Sequence, residues 1–238
     1  MTNAIGELEN QLRAQGTPER AAGSKAYLKS SLEHFGVTNP QARRIIRQWV
    51  RDNKIASHDD VVQIAQRLWP SQIFDLRNAA VEVLTYRKST LTVADLGMLA
   101  DMIRTANTWA FVDPLSSVAG TIVMIDPADS TLSSTLDAWA TDENFWLRRA
   151  AMLSQMGEAR RVDGDASRFF RYADSMLEEK EFFIRKAIGW VLREMSKKRP
   201  VLVFEWIRPR ASQASGVTIR EAVKYLTEDQ RAAVLASR

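Results

Sequence analysis

Two residues in the stretch NTWAFVDPLSS (107–117) are of types that do chemistry, and their spacing brings them together: Trp109 and Asp113. Four residues apart on a helix means one face, one turn. A carboxylate there can stabilise a developing positive charge and orient a water molecule. An indole face attracts a cation. Two later segments add cations and a second such ring. LRRAAML (147–153) carries Arg148 and Arg149, and IRKAIGWVLREMSKKRP (184–200) carries Trp190. A blander account competes. An aspartate near a helix start is favourable to the helix dipole, and Pro114 directly after it suits a first turn. Residue physics alone therefore favours Asp113 as an N-terminal charge. Tryptophan in a helix is more often core than ligand platform, and Trp49, Trp69, Trp139 and Trp206 are read as core.

Composition narrows the chemistry. Cysteine is absent, which removes disulfides, thiolate metal sites and cysteine nucleophiles. Two histidines, His34 and His58, are too few for a histidine-rich metal site. Neither a metal nor an organic cofactor is expected. Lysine and arginine number 33 against 29 acids, a net charge of +4. That balance permits a polyanionic partner without demanding one. The N-terminal MTNAIGELENQLRAQG lacks the basic-then-apolar pattern of a secretion signal. No apolar run approaches the ~20 residues of a membrane span. The expectation is a soluble cytoplasmic protein with no membrane association, monomeric by default. Its 238 residues suit one domain, residues 1–238.

The elements that must position these residues read as helices. GTPER (16–20) is a stop and restart, with Thr17 as N-cap and Pro18 first in the helix, and GVTNPQARR (36–44) does the same around Asn39 and Pro40. Between such marks the apolar spacing is three and four, as at Phe183, Ala187, Trp190, Val191 and Met195. No persuasive strand pair occurs. The class is all-α, with ten to twelve helices.

An internal repeat organises them. LRNAAVEVL, LRRAAMLSQ, IRKAIGWVL and IREAVKYL share an apolar residue, arginine, any residue and alanine. Their arginines are Arg77, Arg148, Arg185 and Arg220, with gaps of 71, 37 and 35. The first gap is about double the others, and its midpoint falls at Val112-Asp113. Arg43 is a more degenerate earlier member. A period near 35 in a helical chain means stacked antiparallel helix pairs, closest to a HEAT-like solenoid with a concave face. In this register Asp113 stands where sister repeats carry arginine, and Asp113, Arg149 and Trp190 can face one groove from successive repeats. Repeat arginines usually bridge neighbouring units, and Arg77 and Arg220 are read that way.

ENFWLRRAAML (143–153), KEFFIRKAIGWVLREMSKKRP (180–200), the Trp109–Asp113 pair, and GVTNPQARR followed by Leu68-Trp69 resemble the AlkD-type DNA alkylation repair glycosylases, a HEAT-like-repeat family. The resemblance covers roughly residues 20–230. It implies a concave DNA-binding face and a monofunctional enzyme that hydrolyses the N-glycosidic bond of cationic N3- and N7-alkylpurines in double-stranded DNA. It implies that the family's acid falls on Asp113, its groove tryptophans on Trp109 and Trp190, and its arginine on Arg149, which can hold a backbone phosphate. Its groove tyrosine falls on Tyr27. It further implies a grip through the DNA backbone, without a base pocket. Arg148, Lys186, Lys197, Lys198 and Arg199 are then candidate phosphate contacts, against the alternative of a solvated charged face. The chain departs from the pattern at Ala110, where many members carry an acid, and at Thr38, where some carry glutamine.

The chemistry is coherent. Alkylation puts a positive charge on the purine, so it leaves without a general acid, and one carboxylate suffices to stabilise the sugar cation and position water. Sugar hydrolases need a second carboxyl group because their leaving group is poor. Two rivals stand beside this reading: a non-catalytic HEAT-repeat binder of DNA structure, and a protein-binding scaffold without chemistry.

Overall fold

The computed structural model describes residues 2–125 and 129–238. Among them are fifteen α-helices, four short 3-10 turns and no strand, only one isolated bridge between Glu33 and Ile73. The all-α class expected from the spacing is what the chain forms. The helix number exceeds the expected ten to twelve because short helices of four to nine residues, such as Met156–Ala159 and Gly216–Ala222, carry too little periodicity to be counted from sequence. The helices gather into two compact units, Met1–Val118 and Ala119–Arg238.

In the first unit, α1 (Thr2–Arg13) packs on α3 (Asn39–Asp52), and α5 (Phe74–Tyr86) packs on α3 and α4 (His58–Leu68). The core is the apolar face of each, with Ile46, Trp49, Val61, Ile64, Ala79 and Leu84 buried. The helix starts follow the punctuation. Thr17 caps α2 (Pro18–Leu28) with Pro18 first in the helix, while Thr38, not Asn39, caps α3 by accepting the Gln41 amide. No residue of α2 is buried. The 3-10 turn Val93–Asp95 leads into α6 (Leu96–Thr105), and α7 (Trp109–Ile125) follows, with the unit division falling inside it.

In the second unit, α9 (Phe145–Leu153) packs on α8 (Ser130–Ala140), on α11 (Ser167–Ser175) and on α12 (Phe182–Ser196). The four-residue α10 (Met156–Ala159) packs on α12 as well. Helix α12 in turn packs on α13 (Pro200–Ile207) and most extensively on α14 (Gly216–Ala222), with α15 (Glu228–Ala236) against α13. Gly189 permits the close approach of α12 to α14: a Cβ there would lie 2.9 Å from the Glu221 Cβ and 3.1 Å from the Thr218 Cα. Trp49, Trp139 and Trp206 are core, as read. Trp69 is only half-buried, because its indole N–H reaches out to the Thr105 hydroxyl at 2.9 Å.

Candidate functional site

The helices correct the repeat register. α5, α7, α9 and α12 begin at Phe74, Trp109, Phe145 and Phe182, an aromatic residue each time. Counted from that ring, the fourth residues are Arg77, Val112, Arg148 and Arg185, and the fifth are Asn78, Asp113, Arg149 and Lys186. Asp113 therefore does not replace the repeat arginine; Val112 does. The sequence register slipped by one because the steps between helix starts are 35, 36 and 37, and a midpoint does not resolve one residue.

The fourth-position arginines are structural ties. Each donates to the carbonyl six residues earlier, in the loop before its own helix: Arg77 to Ser71 at 2.7 Å, Arg148 to Asp142 at 2.6 Å and Arg185 to Glu179 at 2.6 Å. Arg77 also reaches the Thr105 carbonyl, and Arg148 forks onto both carboxylate oxygens of Glu179 at 2.9 Å. Arg148, a candidate phosphate contact by sequence, is thus engaged inside its unit.

Asp113 is not an N-terminal charge. It is the fifth residue of α7, and Pro114 lies inside the helix rather than in its first turn. The start is marked by Thr108, whose hydroxyl accepts the Ala110 amide and whose carbonyl accepts from Phe111 and Val112. Asp113 is half-buried one turn beyond Trp109. The Trp109 indole stands edge-on to the Tyr27 ring, 6.1 Å between centroids. Tyr27 is 75% exposed, so the structure brings these two sequence-predicted rings together at the surface of the first unit.

They border a cavity of about 640 Å³ lined wholly by first-unit residues, among them Arg20, Ser24, Asn39 and Asn78 beside the two rings. Its wall is built from a loop that the sequence requires to be tight. Gly36 has φ +82°, and a Cβ there would fall 2.3 Å from the Thr17 carbonyl oxygen. Asp75, buried on α5, accepts the Phe35 amide at 2.7 Å and fixes that loop; burial pushes its carboxyl up, partly offset by the loop amides it accepts. His34 stacks on Phe74 at 4.3 Å, and Phe74 stacks on Phe111 at 4.7 Å. Burial, then the charge of Lys25, holds the His34 imidazole below its usual range. Arg43 meets both carboxylate oxygens of Glu82 at 3.1 to 3.2 Å across the same wall. Sequence reasoning missed Asn78, Glu82 and His34. The first was legible as the residue after a repeat arginine; the other two were not.

The second unit holds the remaining candidates. Arg149 is 2% exposed and donates to the Phe183 carbonyl of α12 at 2.6 Å, with its guanidinium 5.7 Å from the Phe183 ring. Buried in this way it ties α9 to α12. Trp190 is half-buried two turns further along α12, one turn beyond the exposed Lys186. Lys197 bonds Glu194 at 2.7 Å, and Lys198 is exposed. Arg199 bonds the carbonyls of Gly164, Glu158 and Ala159, so it clamps the loop after α10 rather than facing outward.

Helices α5, α7, α9 and α12, starting at steps of 35, 36 and 37 residues, with a half-buried carboxylate one turn beyond Trp109 on α7, define an all-helical repeat protein with a candidate site on α7. The family model for DNA alkylation repair enzymes matches residues 8–226, and the chain belongs to that family. Among solved structures it is similar to a predicted DNA alkylation repair enzyme from Enterococcus faecalis, at 23% identity and TM-score 0.78, covering 90% of this chain and 98% of that one. It is also similar to AlkD2 from Streptococcus mutans, at 19% identity and TM-score 0.61, covering 88% and 99%. The protein smu.31 from Streptococcus mutans UA159 matches at 19% identity and TM-score 0.60, covering 79% and 92%. These likenesses carry the fold. No curated protein sequence matches. No helix of the described residues is long and apolar enough to cross a membrane.

Proposed function

We propose that the protein is a DNA glycosylase that removes cationic N3- and N7-alkylpurines from double-stranded DNA. The observation that carries the reading is the half-buried carboxylate of Asp113, one helical turn beyond a tryptophan that borders an aromatic surface, in a chain of the DNA alkylation repair family. The C1′–N bond breaks with its electron pair passing to the already charged purine, which leaves neutral. The sugar gains oxocarbenium character, water adds to C1′, its proton passes to solvent, and an abasic site remains. Asp113 stabilises the sugar cation and orients that water. The Trp109 face contributes cation–π attraction of about 1–2 kcal/mol when desolvated.

The second unit offers its own surface for the duplex: the half-buried Trp190 ring and the exposed Lys186 and Lys198. Arg149 acts as a positioning residue for α12. No step requires a metal, a Schiff base or an organic cofactor.

The test is release of 7-methylguanine and 3-methyladenine from methylated duplex DNA by the full chain and by Asp113→Asn. Release by the native protein, lowered on the order of a hundredfold in the variant, supports the reading. No release with duplex binding retained leaves a binder of DNA structure. Neither release nor binding leaves a protein scaffold.

A further inference from the structure

We propose that Arg77, working with Trp69, is a positioning residue for Trp109 and Asp113. Neither Arg77 nor Trp69 lines the cavity beside the rings; both act through Thr105. As a role in catalysis the proposal rests on the glycosylase reading.

The entries to α7 and α12 are held differently. The loop before α12 is gripped at Glu179 from two sides. Arg148, on the preceding repeat helix, forks onto its carboxylate at 2.9 Å, and Arg185 of α12 itself donates to its carbonyl at 2.6 Å. Helix α7 has no such arginine of its own, because Val112 fills the fourth position and its side chain carries no donor. The reach from the preceding repeat helix remains. Arg77 of α5 holds the Ser71 carbonyl at 2.7 Å through Nε and extends Nη1 to the Thr105 carbonyl at 3.2 Å. Thr105 ends α6, four residues before Trp109.

Trp69 engages another polar atom of the same threonine. Its indole N–H donates to the Thr105 hydroxyl at 2.9 Å, and that hydroxyl is fixed by donating to the Asp101 carbonyl at 2.8 Å. The Arg77 guanidinium lies 5.3 Å from the centre of the Trp69 ring. The ring also meets α7 directly. It stands edge-on to Phe111, 5.5 Å between centroids, and Phe111 stacks on Phe74 at 4.7 Å. Phe111 is fully buried and lies midway between Trp109 and Asp113 in the chain. Two residues turn a helix by about 200°, so Phe111 is the inner side of the turn whose opposite side carries the tryptophan and the carboxylate. Arg77 and Trp69 thus hold α7 at the residue before its entry loop and at the back of its first turn. A carboxylate that must meet a sugar cation and its water tolerates little displacement, since an error on the order of 1 Å costs about a hundredfold in rate. Loosening this hold should slow the chemical step and leave the grip on DNA intact.

The experiment compares the full native chain with Arg77→Met, Trp69→Phe and Arg87→Met. The last is the control. Arg87 also bridges first-unit elements, donating to the Ile55 carbonyl at 3.0 Å, but it does so from the far end of α5. Two readouts are taken. One is the single-turnover rate of 7-methylguanine release from methylated duplex DNA at saturating protein, with duplex affinity measured alongside. The other is deuterium exchange of the amides of residues 106–113. In Arg77→Met the saturated rate should fall at least about tenfold with duplex affinity within about twofold, and exchange at 106–113 should quicken. Trp69→Phe keeps a ring against Phe111 and loses the indole N–H, so it should move both readouts the same way by less. Arg87→Met should leave both at native values whatever its melting temperature. Should Arg77→Met fail to fold, Trp69→Phe decides. Unchanged exchange at 106–113, a rate that falls only as duplex affinity falls, or equal slowing by Arg87→Met overturns the proposal. The glycosylase reading fails separately. No release by the native protein removes it, and faster exchange at 106–113 then still establishes the hold on α7.

Discussion

The two units fill the same helical positions differently. In the second unit the fourth and fifth residues of α9 and α12 are Arg148-Arg149 and Arg185-Lys186. In the first unit α5 and α7 carry Arg77-Asn78 and Val112-Asp113. A fourth-position arginine ties the preceding loop to its helix, and α7 lacks that tie. Its entry is held instead by Asn107 in the left-handed region, φ 54°, and by the Thr108 cap. The fifth position then decides what the repeat does. Where it is Arg149 the side chain is buried and joins two helices; where it is Asn78 it is half-buried and lines the cavity beside the rings, and where it is Asp113 it is half-buried one turn beyond Trp109. Framework and candidate chemistry thus stand one residue apart in a single repeat.

The largest effect that would break this comparison is on stability. Arg149→Met removes a buried guanidinium and leaves the Phe183 carbonyl without that donor, at a cost of about 3 kcal/mol. Asn78→Met, at the equivalent place in α5, lines a cavity and should change stability by less than about 1 kcal/mol. Urea denaturation followed by tryptophan fluorescence measures both. Equal losses would mean that the fifth position is framework throughout and that the contrast between the units is only one of residue type.

How much of this was legible in the sequence follows from which signals are local. The all-helical class, the period, the Thr17 cap and a helix start near Asn39-Pro40 were legible, because apolar spacing and capping act within a few residues; that Thr38 rather than Asn39 is the cap was not. The Trp109–Asp113 pairing was legible for the same reason. The exact column was not. Helix starts drift by one residue between repeats, and Asp113-Pro114 mimics a helix N-terminus that in fact lies four residues earlier, at Trp109. Arg148, Arg149 and Arg199 looked like phosphate ligands because charge is visible in a sequence and its partners are not. Their partners include the Glu179 carboxylate for Arg148, the Phe183 carbonyl of α12 for Arg149, and the Gly164, Glu158 and Ala159 carbonyls for Arg199, all more than thirty residues away in the chain. The cavity was invisible for a similar reason: its wall joins residues from α2, the loop before α3, α3 itself, α5 and α7.

The next effect is on DNA binding. If the second unit's outward charge resides in Lys186 and Lys198, each alanine substitution removes one phosphate contact. The slope of log affinity against log salt should fall by about 0.9 for each. Arg199→Lys alters a clamp on carbonyls and should leave the slope unchanged. Titration of a fluorescent duplex at several salt concentrations reads the slopes. A loss of slope in Arg199→Lys alone would reverse the assignment of the outward and inward cations.

The smallest effect separates the units by pH, because both histidines, His34 and His58, lie in the first. His58 bonds Asp59 through Nδ1 at 2.9 Å and both Asp95 oxygens through Nε2 at 3.0 Å, and Asp95 also accepts the Thr92 amide at 2.8 Å. The hydrogen bonds to Asp59 and then Asp95 hold the imidazolium above its ordinary pKa of about 6.5. A raised folded value means that the stabilisation is complete below the unfolded pKa and is lost as pH rises through the folded one. His34, held down by burial, has the opposite sign: its contribution is present above about 6.5 and is lost as pH falls below that value. The two oppose each other, so the native chain should show a shallow maximum of melting temperature near neutrality. His58→Gln should abolish the fall on the alkaline side and leave the acid side intact. Thermal melts from about pH 5 to 9 would test this, and an alkaline decline that survives the substitution would assign it to a group other than the bridge between α4 and the Thr92–Asp95 turn.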